Sequence, residues 1–492
     1  MGLGGVVRYD GAEDRAGKCD LSPHAVAIGG DRNRLFGGMS LAAMNSTDTA
    51  ENSSALHWRG SLAAAAIAFA AYFCMYAFRK PLTANDYEGI FFLGGALKLK
   101  SALVISQVLG YALSKFVGVK FCSEVTRERR AFWLVGLILW AELALVAFGA
   151  VPGDWKVAAI FFNGLPLGMI WGLVVRYLEG RKSSDFLLAA LCCSFIISTG
   201  IVKDAGKAWL RVGVDPFWMP AITGASFFIP FLFAVWLLER LPEPSLGDRE
   251  QRTERKSMRR DERTLFLRNF WIGLVPLFVF YAVLAAFRDF RDNFSKELLD
   301  ELGYSEVPGI FTAVEAPTAF IVTGLLAALI LIKNHRTSLW AIFGTMIAGA
   351  LVVGLTTVGY LFGQLDGLSW MIMIGLGGYL AYVPYNAVLF ERLLACTRSV
   401  GTAVFGIYIA DSFGYVGSIL VLLYKDVLAP KTTQIDFFVN FSWVLAAVGV
   451  VSLVTSGYFF LRLPSSAGSS AVVDSGPDET SAVDDAQATQ VV

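Results

Sequence analysis

The sequence predicts an all-α membrane protein of twelve transmembrane helices in two six-helix bundles. Three observations predict it. Apolar residues make up 55% of the chain and charged residues only 17%, a balance that soluble domains do not show. Apolar runs near 20 residues long, the length that crosses a bilayer as a helix, recur along the chain. They fall six and six about one long basic stretch, RLPEPSLGDREQRTERKSMRRDERTLFLR.

Residues 1–58 are Gly-rich and mixed in charge, lack a basic-then-apolar leader, and are expected to be a disordered tail, with Met39 and Met44 as alternative starts. The spans of the first bundle (59–240) are expected at 61–80, 99–121, 131–151, 155–178, 186–203 and 217–239. Residues 241–268 read as a basic cytoplasmic linker. The second bundle (269–463) is expected to span at 269–288, 309–333, 338–363, 367–391, 399–424 and 436–462. The polar, acidic segment 464–492 reads as a second disordered tail.

Loop charge orients these spans. Lys120, Arg127, Arg129 and Arg130 follow helix 2. Arg176, Arg181 and Lys182 follow helix 4, and the basic linker follows helix 6. Lys333 and Arg336 follow helix 8, and Arg392 and Arg398 follow helix 10. The even-numbered loops are therefore expected in the cytoplasm, with both termini. Cations after helices 1, 5 and 7 break the pattern and are candidates for lining a cavity instead.

Net charge is zero, so nothing in the charge balance points to nucleic acid. His24, His57 and His335 lie outside the apolar spans. Cys19, Cys74, Cys122, Cys192, Cys193 and Cys396 show no metal-ligand or disulfide spacing. No metal, cofactor or enzymatic activity is expected, and the cysteines read as small packing residues in a reducing setting.

The chemistry-bearing residues sit where a membrane makes them costly. An Arg or Lys at the centre of a spanning helix costs about 2.5–3.5 kcal/mol on insertion scales. Helix 1 closes on AYFCMYAFRKP, in which Tyr72, Tyr76 and Arg79 are spaced to share a helical face and Lys80 follows. That face offers two phenols and a guanidinium to an oxyanion. The competing reading has Arg79 and Lys80 reaching to the interface while Pro81 ends the helix. In helix 2, Tyr111 and Lys115 lie one turn apart. In helix 7, Arg288 and Arg291 are each followed by Asp, either as self-paired surface charges or, for Arg288, as a partner to Arg79 in a two-arginine clamp.

Glu142, Glu315 and Asp411 are the intramembrane acids. Glu142 reads as a helix–helix contact, whereas Glu315 and Asp411 are candidates to carry a coupling proton. The glycines of helix 4 (Gly164, Gly168, Gly172) and helix 11 (Gly401, Gly406, Gly414, Gly417) read as close-packing positions. Asn386 is open between cavity and packing. The triplet Ala77-Phe78-Arg79 recurs as Ala286-Phe287-Arg288 at the corresponding end of each half. A parallel repeat of six helices with a site between the halves is the architecture of the major facilitator superfamily.

On Tyr72, Tyr76, Arg79 and Lys80, on Tyr111-Ala112-Leu113-Ser114-Lys115-Phe116, and on Gly164 to Trp171, the chain resembles the organophosphate:phosphate antiporter branch of that superfamily. The resemblance implies a phosphate clamp built from Arg79 and Arg288, with Lys80, Lys115, Tyr72, Tyr76 and Tyr111 around it. Three features depart from the branch, one of them the helix 7 motif after Arg288. Cys122 stands where the superfamily has Asp, and Leu191-Cys192-Cys193-Ser194-Phe195 lacks the helix 5 histidine. Arg288-Asp289-Phe290-Arg291-Asp292-Asn293 and Tyr408-x-x-Asp411-Ser412-x-Gly414-Tyr415 also resemble a group of bacterial major-facilitator-like proteins.

The expectation is a monomeric, multi-pass secondary transporter of a bacterial inner membrane. It moves a small anion, an organophosphate or carboxylate, by antiport or with a proton. A non-transporting sensor of the same fold and an amphiphile or lipid transporter are the alternatives.

Overall fold

In the computed structural model, residues 62–178, 184–242, 260–397 and 403–463 are described. The expected tails and most of the expected linker, 243–259, lie outside them. Helices α1 (Leu62–Tyr76), α2 (Leu99–Glu124), α3 (Arg127–Ala150), α4 (Trp155–Leu178), α5 (Ser184–Arg211) and α6 (Met219–Glu239) form the first half. Helices α7 (Arg260–Asn293), α8 (Ile310–Leu331), α9 (His335–Leu361), α10 (Gly367–Thr397), α11 (Phe405–Leu428) and α12 (Gln434–Arg462) form the second. A hairpin of β1 (Phe91–Phe92) and β2 (Leu97–Lys98) follows α1, and a short helix, Ser295–Glu301, follows α7. Large apolar side chains such as Phe132, Ile229, Phe320, Leu355 and Val451 point outward, as a lipid-facing surface requires.

Two elements differ from the sequence expectation in ways that shape the site. Regular helix in α1 stops at Tyr76 rather than running to Lys80. From Ala77 the backbone bonds tighten, with Ala77 N–H donating to the Cys74 carbonyl at 3.0 Å and Phe78 N–H to Met75 at 3.1 Å, and a single 3₁₀ turn, Pro81–Ala84, follows. Pro81 has no N–H with which to continue the ladder. Arg79 and Lys80 therefore stand on a turn, not on the helical face of Tyr72 and Tyr76. In the other case, α5 continues past Lys203, the last residue of the expected span, to Arg211, so Lys207 is a helical rather than a loop residue.

Within the first half, α2 and α4 pack backbone to backbone. A Cβ on Gly110 would lie 2.3 Å from the Phe161 carbonyl oxygen, and one on Gly164 would lie 2.4 Å from that of Gln107. Small residues permit this approach where lipid supplies no hydrophobic drive between helices. In the second half, a Cβ on Gly417 of α11 would lie 2.7 Å from the Ala282 carbonyl oxygen of α7, and Phe287 of α7 stacks on Phe438 of α12 at 4.8 Å. Gly164, Gly168 and Gly172 of helix 4 and Gly406, Gly414 and Gly417 of helix 11 all lie at such close contacts, and Gly401 lies outside the described residues. The halves meet where α5 lies on α8 and α2 on α11. Helix α10 carries a π-helical turn at Tyr385–Leu389, just after Pro384.

Candidate functional site

Between the halves, the chain places charges in layers. The break in α1 leaves backbone carbonyls without helical partners, and buried side chains take them. Asn163 of α4 donates Nδ2 to the Phe78 and Ala141 carbonyls, both at 3.0 Å, and accepts from Gln107 Nε2 at 2.8 Å. Gln107 also donates to the Arg79 carbonyl at 3.3 Å. So held, Arg79 lays its guanidinium on the Tyr111 ring, 4.2 Å from the centroid. From the other half, Arg288 lies over the Tyr382 ring at 3.9 Å. Tyr76 interacts electrostatically with both guanidiniums, and Arg79 with Asp289. Tyr72 packs edge-on against Tyr76 at 5.5 Å and against Trp171 at 4.9 Å.

Most of these cations have carboxylates. Arg288 Nη2 bonds Asp289 Oδ1 at 2.6 Å, and Ser418 Oγ bonds the other oxygen at 2.8 Å. Arg291 Nη1 bonds Glu315 Oε1 at 2.7 Å and Arg291 Nη2 the Met371 carbonyl at 3.0 Å. Lys115 Nζ bonds Asp411 Oδ2 at 2.6 Å, and Tyr281 donates its hydroxyl to Oδ1 at 2.6 Å and reaches Asn386 at 3.2 Å. Lys80 and Lys203 share the carboxylate of Asp292, with Lys80 also on Asn293 at 3.0 Å and Lys203 on Ser295 at 3.0 Å. Arg79 has no carboxylate partner among the described residues, and its Nε is buried without an acceptor. The hydroxyls of Tyr111, Tyr379 and Tyr382 likewise have no partner among the described residues.

The end that carries the loops after odd-numbered helices adds further bridges between the halves. Lys100 Nζ bonds Glu297 at 2.6 Å, Lys296 pairs with Asp86, and the Lys98 N–H donates to Asp426 at 3.2 Å. Asp204 of α5 accepts from the Thr312 N–H at 2.7 Å and the Phe311 N–H at 3.3 Å, capping α8 from the opposite half. Burial pushes the Asp86 carboxyl up, but the hydrogen bond and charge of Lys296 outweigh it and hold Asp86 below the ordinary carboxylate range. Glu297 goes the other way, because burial outweighs the pull of Lys100.

The fold so described is that of the major facilitator superfamily. The nucleoside transporter NupG superposes with a TM-score of 0.55 at 14% identity, covering 82% of this chain and 100% of its own. The D-xylose-proton symporter superposes with a TM-score of 0.53 at 16% identity, covering 83% of this chain and 98% of its own. No curated protein matches the sequence. Residues 81–463 match the family described as "Family of unknown function (DUF5690)". The chain belongs to the DUF5690 family. The matched span begins just after Arg79 and Lys80 and includes Lys115, Lys203, Arg288, Glu315 and Asp411.

Of the residues the sequence singled out in this DUF5690 chain, Tyr72, Tyr76, Arg79, Tyr111 and Arg288 come together around one layer. Lys80 and Lys115 are committed to Asp292 and Asp411 instead. Glu142 stands apart between α3 and α6, its Oε2 buried against Gly224 without a hydrogen bond. Arg291 does not pair with the Asp that follows it. The reading noted Asp289 and Asp292 only as the acids that follow Arg288 and Arg291, and passed over Lys203, Tyr281 and Tyr382. A signal for the tyrosines existed: Tyr379, Tyr382 and Tyr385 recur every third residue, one stripe of a helix. Nothing local marked Asp292 as the partner of Lys80 and Lys203, which lie far away in sequence.

Proposed function

We propose that this chain is a secondary transporter that carries a small anion, an organic phosphate or carboxylate, through alternating access of its two halves. The observation that carries the reading is Arg79. A guanidinium at this depth is costly unless an anion meets it, and here it rests on an aromatic face with no carboxylate of its own. Across the layer, Arg288 uses part of its five-donor fork on Asp289 and keeps donors for a second oxyanion. Phenol hydroxyls of Tyr111, Tyr379 and Tyr382 supply neutral donors. Lys80 and Lys115, held by their own acids, contribute positive potential rather than direct contacts. The loop-charge bias assigns the even-loop end to the cytoplasm of a bacterial cell, with the odd-loop end outside.

The test is uptake of labelled inorganic phosphate, sugar phosphates and dicarboxylates by proteoliposomes holding the full chain. At least one anion should accumulate. A charge-assisted hydrogen bond is worth about 1.5–3 kcal/mol, so Arg79→Ala and Arg288→Ala should each lower uptake about 10- to 100-fold. Unimpaired uptake by Arg79→Ala overturns the assignment, and anion binding without flux would favour a sensor.

A further inference from the structure

The loop between α1 and α2 carries an uncharged apolar run, Ile90-Phe91-Phe92-Leu93-Gly94-Gly95-Ala96-Leu97, set between Glu88 and Lys98. It folds as the hairpin of β1 and β2, with Phe91 paired to Lys98 and Phe92 to Leu97. Phe92 and Leu97 are half-buried, but Ile90, Phe91 and Leu93 are 41%, 55% and 63% exposed. The turn stands clear of the rest of the described chain, since a Cβ on Gly94 or Gly95 would meet nothing within 4 Å. Leu93 adopts a left-handed backbone, φ +51°, in which glycine or asparagine is the unstrained choice. A leucine held there with its side chain in water would combine backbone strain with apolar exposure, and nothing would offset either.

The base of the hairpin fixes its level. The Lys98 N–H donates to Asp426 Oδ2 at 3.2 Å, and Asp426 lies in the last turn of α11, which ends at Leu428. Because α11 crosses the bilayer, that turn marks the odd-loop boundary of the hydrocarbon. Strand β2 packs on this turn. Around Asp426, Tyr424, Val427 and Leu428 are exposed, and with Leu420, Val421 and Leu423 they line an apolar groove on α11. The exposed hairpin thus continues the lipid-facing surface of the second half. Phe91 is cross-strand partner to the exposed Lys98, an arrangement that suits the headgroup boundary, where a ring sinks and an ammonium reaches water.

We infer that the hairpin of residues 88–98 is a membrane-surface anchor, its apolar tip inserted at the boundary of headgroups and acyl chains beside lipid that fills the α11 groove. The partner is the bilayer, and the contact does not depend on what the chain transports. An anchor there ties the first half to the leaflet at the end where charges bond the halves together.

The test uses the full chain in nanodiscs, with its native cysteines replaced by serine or alanine and a spin label at Leu93→Cys. Phe320→Cys, on the exposed apolar face of α8, is the lipid reference. Glu306→Cys, exposed in the loop before α8, is the water reference. Oxygen, which concentrates in lipid, and a water-soluble nickel chelate each relax such labels. The label at Leu93→Cys should be relaxed by oxygen and shielded from nickel, as at Phe320→Cys. Nickel relaxation equal to that at Glu306→Cys overturns the inference, because the tip then stands in water. Shielding from both reagents overturns it as well, because a second copy or another stretch of protein then covers the tip. If Leu93→Cys does not fold, a bimane fluorophore at Phe91→Cys serves. Lipids brominated near the headgroup should quench it more than lipids brominated at the chain end, and equal brightness with and without bromine overturns the inference.

Discussion

The two ends of the molecule are held in different ways. At the odd-loop end, Lys80, Lys203, Lys100, Lys296 and Asp204 each reach a residue of the opposite half. At the even-loop end, the hydrogen bonds between described residues turn back into their own half. Arg130 donates to the Arg176 carbonyl at 2.9 Å, and Tyr177 to Glu239 at 2.6 Å. Arg336 donates to the Leu461 carbonyl at 2.7 Å, and Arg392 meets His335 at 3.0 Å. One end is sewn across by charges, and toward the other the ion pair between the halves, among the described residues, is Lys115 with Asp411. The difference teaches where charge resists opening: opening the odd-loop end means breaking several buried ion pairs, whereas among the described residues the pair of Lys115 with Asp411 is the ion pair that opening the other end would break.

The strongest way to break this asymmetry is Asp292→Asn. It leaves Lys80 and Lys203 buried without a carboxylate, and removing one partner of a buried pair costs about 3–5 kcal/mol. The melting temperature in detergent should fall sharply, and spin labels across the odd-loop end should separate. Adding Lys203→Met should recover part of the loss, which a double-mutant cycle reads as coupling. An unchanged melting temperature would mean that the odd-loop end is not held by this triad.

Gly375→Ala sharpens the comparison by disturbing one half alone. Its Cβ would lie 2.3 Å from Arg291 Nη2, and such overpacking costs about 1–3 kcal/mol. Melting should drop while the separations at both ends stay as they were. Asp204→Ala removes the acceptor for the first N–H groups of α8, a loss of about 1 kcal/mol, and should loosen only the odd-loop end, measured by thiol accessibility there.

The smallest effect is expected at Asp86→Asn, because a partly exposed ion pair is worth about 0–1 kcal/mol. Its pH dependence has a definite sign. The folded-state pKa of Asp86 is depressed, so its contribution is present above about pH 4, the unfolded carboxylate value, and fades as pH falls through the folded value. Lys296 is raised by Asp300 and Asp86 against its burial, so its share is present below about pH 10 and fades only as pH rises through its own higher folded value. In a pH titration of odd-loop-end opening, Asp86→Asn should therefore remove the lower part of the acid limb, below the ordinary carboxylate range, and leave the part that Glu297, held above that range by burial, supplies.

Reading the chain located α4 at its observed limits, 155–178, because its hydropathy falls abruptly on both sides. The same reading carried α1 past its break, since Arg79 and Lys80 are ordinary residues for a helix end and only Pro81 signals a stop. It found Arg79 and Arg288 through their cost in a membrane. It could not tell which cations have carboxylates, because Lys115 and Asp411 are 296 positions apart in sequence.

Spans, their grouping in two sixes and the presence of costly intramembrane charge were determined by the linear chain alone, because hydrophobic length and charge placement are local properties that the bilayer reads directly. The pairing of those charges was decided only by the tertiary structure. An ion pair forms between whichever side chains the packing brings within about 4 Å, and that distance is set by glycines, tyrosine stacks and helix breaks acting together. Arg79 becomes the cation without a carboxylate, and Asp411 the acid shared between halves, only once the bundles have closed on one another.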